Sequence, residues 1–119
     1  MATGLRKKTE FEADLFTIQK TWWAKLFMRS KKGEMEIKHY EFGEKKMEID
    51  LRGIKVPNGD QVQALIDGKI VRDVVIQRGF ARMRYSSADG EIIPEVQHSS
   101  KAEIRYRGEL LLEGTFFRD

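Results

Sequence analysis

Arg82 and Arg84 stand two apart in the stretch Phe80-Ala-Arg-Met-Arg-Tyr, and Arg105 and Arg107 stand two apart in Ala102-Glu-Ile-Arg-Tyr-Arg. In extended backbone successive side chains point to opposite faces, so each arginine pair shares one face of its strand. Guanidinium forks suit phosphate and carboxylate. If the two strands were neighbours, four guanidiniums with Lys101 nearby would make an anion-binding face for nucleic acid or another polyanion. Stacking aromatics would help such a face hold single strands, but Tyr85 and Tyr106 fall in the opposite phase, and Glu103 interrupts the stripe. The preferred reading is that these arginines pair with carboxylates on adjacent strands.

His39 and His98 are the only histidines. With Glu41 or Glu95 they have donor types that zinc accepts, but no third close ligand accompanies them, and no metal is expected. Asp89, His98 and Ser99 contain the residue types of a hydrolytic triad, yet a triad is defined by geometry, and a polar turn is the simpler reading. No Gly-rich phosphate loop precedes a Lys and Ser/Thr, and no Gly-x-Ser-x-Gly elbow occurs. The chain is therefore expected to be non-catalytic and to need no cofactor.

Large aromatics supply the other candidate site. Trp22 and Trp23 are adjacent, as are Phe116 and Phe117. In a strand, adjacent residues face opposite ways, so one of each pair needs a second cover. Exposed aromatics beside an unpaired strand edge mark an interface. Trp22, Trp23, Phe116 and Phe117 are accordingly expected in a contact with a second copy of the chain, as a homodimer, or with another protein.

Composition fits a binding domain with a mixed surface. The chain has 119 residues, with 22 Lys and Arg against 19 Asp and Glu, for a net charge of +3. That balance lacks the strong basic excess of a dedicated nucleic-acid binder. Cysteine is absent, which excludes disulfides and thiolate metal sites. No apolar run has the length of a membrane span, and residues 1–8 are basic without an apolar segment behind them. The expectation is a cytoplasmic protein without membrane contact, with residues 1–8 as a flexible tail.

The elements that must position these residues are strands. Met47-Glu-Ile-Asp-Leu-Arg, Ala102-Glu-Ile-Arg-Tyr-Arg and Phe80-Ala-Arg-Met-Arg-Tyr alternate apolar and charged residues, the mark of a strand buried on one side. Val62, Ala64 and Ile66 continue the period. Asn58-Gly59, Asp67-Gly68 and Asp89-Gly90 supply the positive φ of tight turns, with Gly43, Arg78-Gly79 and Arg107-Gly108 as weaker signals. Strands are expected near 9–18, 21–29, 34–41, 45–52, 60–66, 69–77, 80–86, 91–97, 101–107 and 109–117.

The second half also repeats the first. Residues 24–34 align with 81–91, and residues 46–59 with 101–114 after a two-residue slip, including Gly53 with Gly108 and Gly59 with Gly114. The expectation is one all-β domain over 1–119, an antiparallel sandwich or flattened barrel built from two pseudo-symmetric repeats at about 24–59 and 81–114. Met28, Ile49, Leu51, Met83, Ile104 and Tyr106 should face its core.

Overall fold

Strict alternation produces strands almost everywhere the sequence predicts them. The computed structural model describes residues 7–18 and 30–119. Among these residues there are eight strands: β1 (Lys7–Thr17), β2 (Lys31–Tyr40), β3 (Lys45–Leu51), β4 (Gln61–Ile66), β5 (Lys69–Val75), β6 (Ala81–Ser86), β7 (Lys101–Tyr106) and β8 (Glu109–Arg118). All neighbours are antiparallel, in the order β5-β4-β7-β8-β1-β2-β3-β6. This single sheet curls until its two end strands approach, giving a nearly closed, barrel-like sandwich. No helix of the described residues is long and apolar enough to cross a membrane.

Two-residue turns set the hairpins. Asp67-Gly68, Arg78-Gly79 and Arg107-Gly108 each place both central residues at positive φ, between 50° and 83°. That geometry matches the right-handed twist of the strands it joins. Arg78-Gly79 and Arg107-Gly108, read from sequence as weaker signals, are turns of the same kind as Asp67-Gly68.

The inner face is continuous. Ala13 and Leu15 of β1, Met35 and Ile37 of β2, Met47, Ile49 and Leu51 of β3, Val62 and Ala64 of β4, Ala102 and Ile104 of β7 and Phe116 of β8 are fully buried. Of the expected core, Met83 and Tyr106 are only partly covered and pack against this cluster. Met28 lies outside the described residues.

Two strand-interior glycines let the sheet fold over. A Cβ on Gly33 would lie 2.4 Å from the Asp50 carbonyl oxygen, and a Cβ on Gly114 would lie 2.0 Å from the Asp14 carbonyl oxygen. Both distances are far inside contact, so only glycine permits these close crossings of neighbouring backbones.

The expected strand at 91–97 is not formed. That segment has no regular structure and packs on the core, with Ile93 and Val96 buried in the main cluster and Ile92 exposed. Burial at positions three apart does not fit a period of two, and Pro94 has no N–H to give a ladder. The segment is held instead by Arg72, which donates to the Ile92 carbonyl at 2.7 Å, and by a Lys45–Glu95 ion pair. The expected strand at 21–29 lies outside the described residues, as does the first part of the repeat. In the second part, β3 and β7 are each followed, two residues on, by a positive-φ glycine, Gly53 and Gly108. Beyond that point, residues 54–58 form a loop and residues 109–113 belong to β8.

Ile49→Ala or Ile104→Ala should cost about 2–5 kcal/mol by chemical denaturation, because each leaves a cavity at a fully buried position. Gly114→Ala should lower stability by at least about 2 kcal/mol, since the Asp14 backbone must move to admit the methyl group. An exposed substitution such as Arg84→Ala should stay within about 0.5 kcal/mol.

Candidate functional site

Register brings the outer faces of β1, β2, β3 and β6 into rows of charge. Glu12 lies opposite Glu36, Glu36 opposite Glu48, and Glu48 opposite Arg84. The next row runs Asp14, Glu34, Asp50, Arg82. Each row therefore holds three carboxylates and ends in one arginine on β6. Like charges directly opposite one another destabilise a sheet. Lysines offset part of this: Lys31 Nζ stands 3.0 Å from Asp14 and 3.7 Å from Glu34, and Lys38 Nζ stands 3.5 Å from Glu36 and 3.6 Å from Glu48.

Glu12 sits where the compensation is weakest. Partial burial and the carboxylates of Asp14, Glu34, Glu36 and Asp119 push its pKa up to about 7. Burial also raises Glu36, against the pull of Lys38. Oxygen atoms of Glu10, Glu12 and Glu36, and of Glu12, Asp14 and Glu34, lie within 4.8 Å of one another. Alternation in Phe11-Glu-Ala-Asp-Leu and Glu34-Met-Glu-Ile places each carboxylate on an outer face from sequence. Only the register reveals that they face one another.

The four arginines do not form one stripe. β6 is the last strand of the sheet, and β8, β1, β2 and β3 lie between it and β7. Arg82 Nε is 3.6 Å from Asp50, and Arg84 Nε is 3.0 Å from Glu48. On β7, Arg105 pairs with Glu103 at 3.1 Å and donates to the Gly108 carbonyl. Arg107 stacks over Tyr106 at 5.2 Å and lies 3.8 Å from Asp60, whose carboxylate also accepts from the Tyr106 hydroxyl. That hydrogen bond is the main reason the Tyr106 pKa is raised. The polyanion reading thus loses the single cationic surface on which it rested. The cross-strand pairing with carboxylates is observed at Arg82 and Arg84, whereas Arg107 in its turn meets Asp60 in the loop before β4.

The aromatic candidates separate as well. Phe116 is fully buried on the inner face of β8, so it is a core residue with no surface to offer a partner. Alternation then turns Phe117 outward, 37% exposed, beside Phe16 and Lys101 in a shallow depression of about 470 Å³. Trp22 and Trp23 lie outside the described residues. His39 edges against Phe11, and His98 Nδ1 accepts from the backbone N–H of Arg118, which lies opposite Phe11 in the β1–β8 ladder. Neither histidine joins a cluster of metal-ligating groups among the described residues.

An opening lined by apolar residues lies elsewhere, at the ends of the sheet. β5 and β6 are joined by the Arg78-Gly79 turn, and Gln77 and Phe80 exchange backbone hydrogen bonds of 2.9 Å across it. The hairpin goes no further. β5 pairs with β4, and β6 pairs with β3. A groove of about 670 Å³ lies along this seam, lined by Leu51, Val75, Phe80, Ala81, Met83 and the polar Asp50, Gln77 and Arg82. Phe80 is 59% exposed and Val75 39%. At the far end Arg72 closes the gap by stacking on Tyr85 at 4.3 Å. A Gly turn with apolar residues on both sides reads as a complete hairpin from sequence, which hides an opening of this kind.

Glu12 gives a pH prediction. Its pKa is higher folded than in the ordinary carboxylate range, so the folded state binds a proton more tightly than the unfolded one. Stability from this group is full below about pH 4.5 and is lost as pH rises through about 7. Glu12→Gln should therefore stabilise the protein at pH 8, by about 1 kcal/mol once solvent screening is allowed for. The gain should vanish near pH 4, as read from thermal midpoints across that range.

Searches against protein-family models, curated proteins and solved structures found no match to this chain.

Proposed function

We propose that this protein is a cytoplasmic, non-catalytic binding domain that acts by associating with a second copy of itself or with another protein. The observation that carries this reading is the seam between β5 and β6. A sheet that closes completely has no edges to offer, whereas this one ends in two strands that part directly after their turn. Exposed Phe80 and Val75 flank that opening, which places apolar surface beside backbone able to pair. Phe117, with the neighbouring Phe16, offers a smaller apolar patch on the outer face of β8 and β1. Trp22 and Trp23 belong to the same reading as further contact residues. No observation gives comparable support to polyanion binding, because Arg82 and Arg84 on β6 and Arg105 and Arg107 at β7 are not on neighbouring strands.

A photo-crosslinking amino acid at position 80 should yield a covalent adduct with a protein when irradiated in the cell, and the same group at exposed position 55 should not. Light scattering coupled to size exclusion then identifies the partner class, since a mass of twice 13.9 kDa marks self-association. Absence of any protein adduct from position 80, together with a monomeric mass, would overturn the reading.

A further inference from the structure

We infer that the β5–β6 seam is a docking groove for a short extended segment of another protein, one that alternates apolar and acidic residues and adds to the edge of β6. The inference rests on the binding-domain reading above and names the kind of partner.

The backbone argument comes first. β6 has β3 on one side, and its other side has no ladder among the described residues: it meets the Gln77–Phe80 bridge at its start, Arg72 at Tyr85, and the Glu91 N–H at the Ser86 carbonyl. An extended peptide that adds to such an edge gains main-chain hydrogen bonds, and alternate side chains then enter whatever pockets the edge provides. The groove supplies the pocket. Met83 and Ala81 line its floor, and Phe80 and Val75 stand at its rim. The Arg72–Tyr85 stack limits its length to a few residues, so a short segment fits and a long strand does not.

Charge decides the chemistry of the outward-facing residues. The two rows on the outer face run carboxylate, carboxylate, carboxylate, arginine, and they stop at Arg84 and Arg82. These side chains are 66% and 71% exposed, and each meets its β3 carboxylate through Nε. A strand added beyond β6 would extend both rows by one position. An acidic residue there meets an arginine directly across the new pair, whereas a basic residue meets a like charge.

The same rule argues against a second copy as the occupant. In a two-fold antiparallel pairing of β6 with itself, outward residues oppose outward residues. Registers centred on residues 82, 83 or 84 set Arg82 against Arg82, Arg82 against Arg84, or Arg84 against Arg84. Each sets guanidinium against guanidinium with no carboxylate supplied by the partner.

The test uses the full chain and two labelled five-residue peptides, one alternating valine with glutamate and one alternating valine with lysine. Fluorescence anisotropy at low salt should give the acidic peptide at least about tenfold tighter binding than the basic one. Backbone amide shifts on binding should fall within residues 73–86. The double variant Arg82→Glu/Arg84→Glu changes only exposed side chains, and circular dichroism checks that it folds. It should reverse the preference between the peptides, and Phe80→Ser should weaken both. Equal binding of the two peptides, an unchanged preference in the double variant, or shifts located away from the seam would overturn the inference. Failure to bind either peptide would also overturn it. In that case an adduct from position 80 would leave the broader binding-domain reading standing, and absence of the adduct would remove both.

Discussion

The fold depends on how β1 and β8 cross. These strands join the two halves of the sheet, β5-β4-β7-β8 and β1-β2-β3-β6, and theirs is the ladder that connects them. At the crossing, Gly114 brings β8 against the Asp14 carbonyl at a distance no side chain could tolerate. That approach lets Phe116 and Leu112 reach the same core as Leu15 and Ala13. A wider crossing would separate the two inner faces and leave a half-buried sheet with more apolar surface in water. Gly33 makes a comparable approach to β3, and register irregularities at Leu15/Phe16, Ala64/Leu65 and Ile104/Arg105 interrupt the ladders elsewhere.

Curvature also explains the seam. A sheet of eight strands with this bend brings its ends near one another, but β5 and β6 are already committed to β4 and β3. Their shared turn pins one end of the gap, and the Arg72–Tyr85 stack holds the other. The opening is thus framed by two specific contacts. The Arg72 guanidinium is tied further by the Val71 and Ile92 carbonyls, each at 2.7 Å. A rigid frame around an apolar opening loses little conformational freedom when something docks, which favours binding.

Sequence reading and structure agree where local physics governs. Alternation located β3, β4, β6 and β7 to within a residue or two, and the inward residues Ile49, Leu51 and Ile104 are fully buried. The segment 91–97 escaped this logic because its apolar residues pack on the core and have no partner strand. Phe116 and Phe117 were legible as a pair facing opposite ways, but not as one core and one surface residue, since that depends on which face of β8 turns toward the core. The charge rows and the seam are properties of register and strand order. Glu12 and Glu36 are far apart in the chain and identical in kind, so nothing local announces that they are neighbours. Arg82 and Arg105 look equivalent along the sequence, and the topology puts them on strands that are not neighbours.

The β1–β8 ladder has a consequence for the order in which the chain can fold during synthesis. β1 leaves the ribosome well before its partner β8, with Phe11 opposite Arg118 and the Asp119 N–H bonded to the Glu10 carbonyl. Contacts of such sequence separation slow folding. Until β8 is released, β1 keeps one unpaired edge, and Ala13 and Leu15 lack their cover. The carboxylate row on the opposite side of β1 then acts as a gatekeeper, because mutual repulsion between nascent chains discourages edge-to-edge pairing during that interval. Charge that costs stability in the finished sheet would thereby protect the unfinished one.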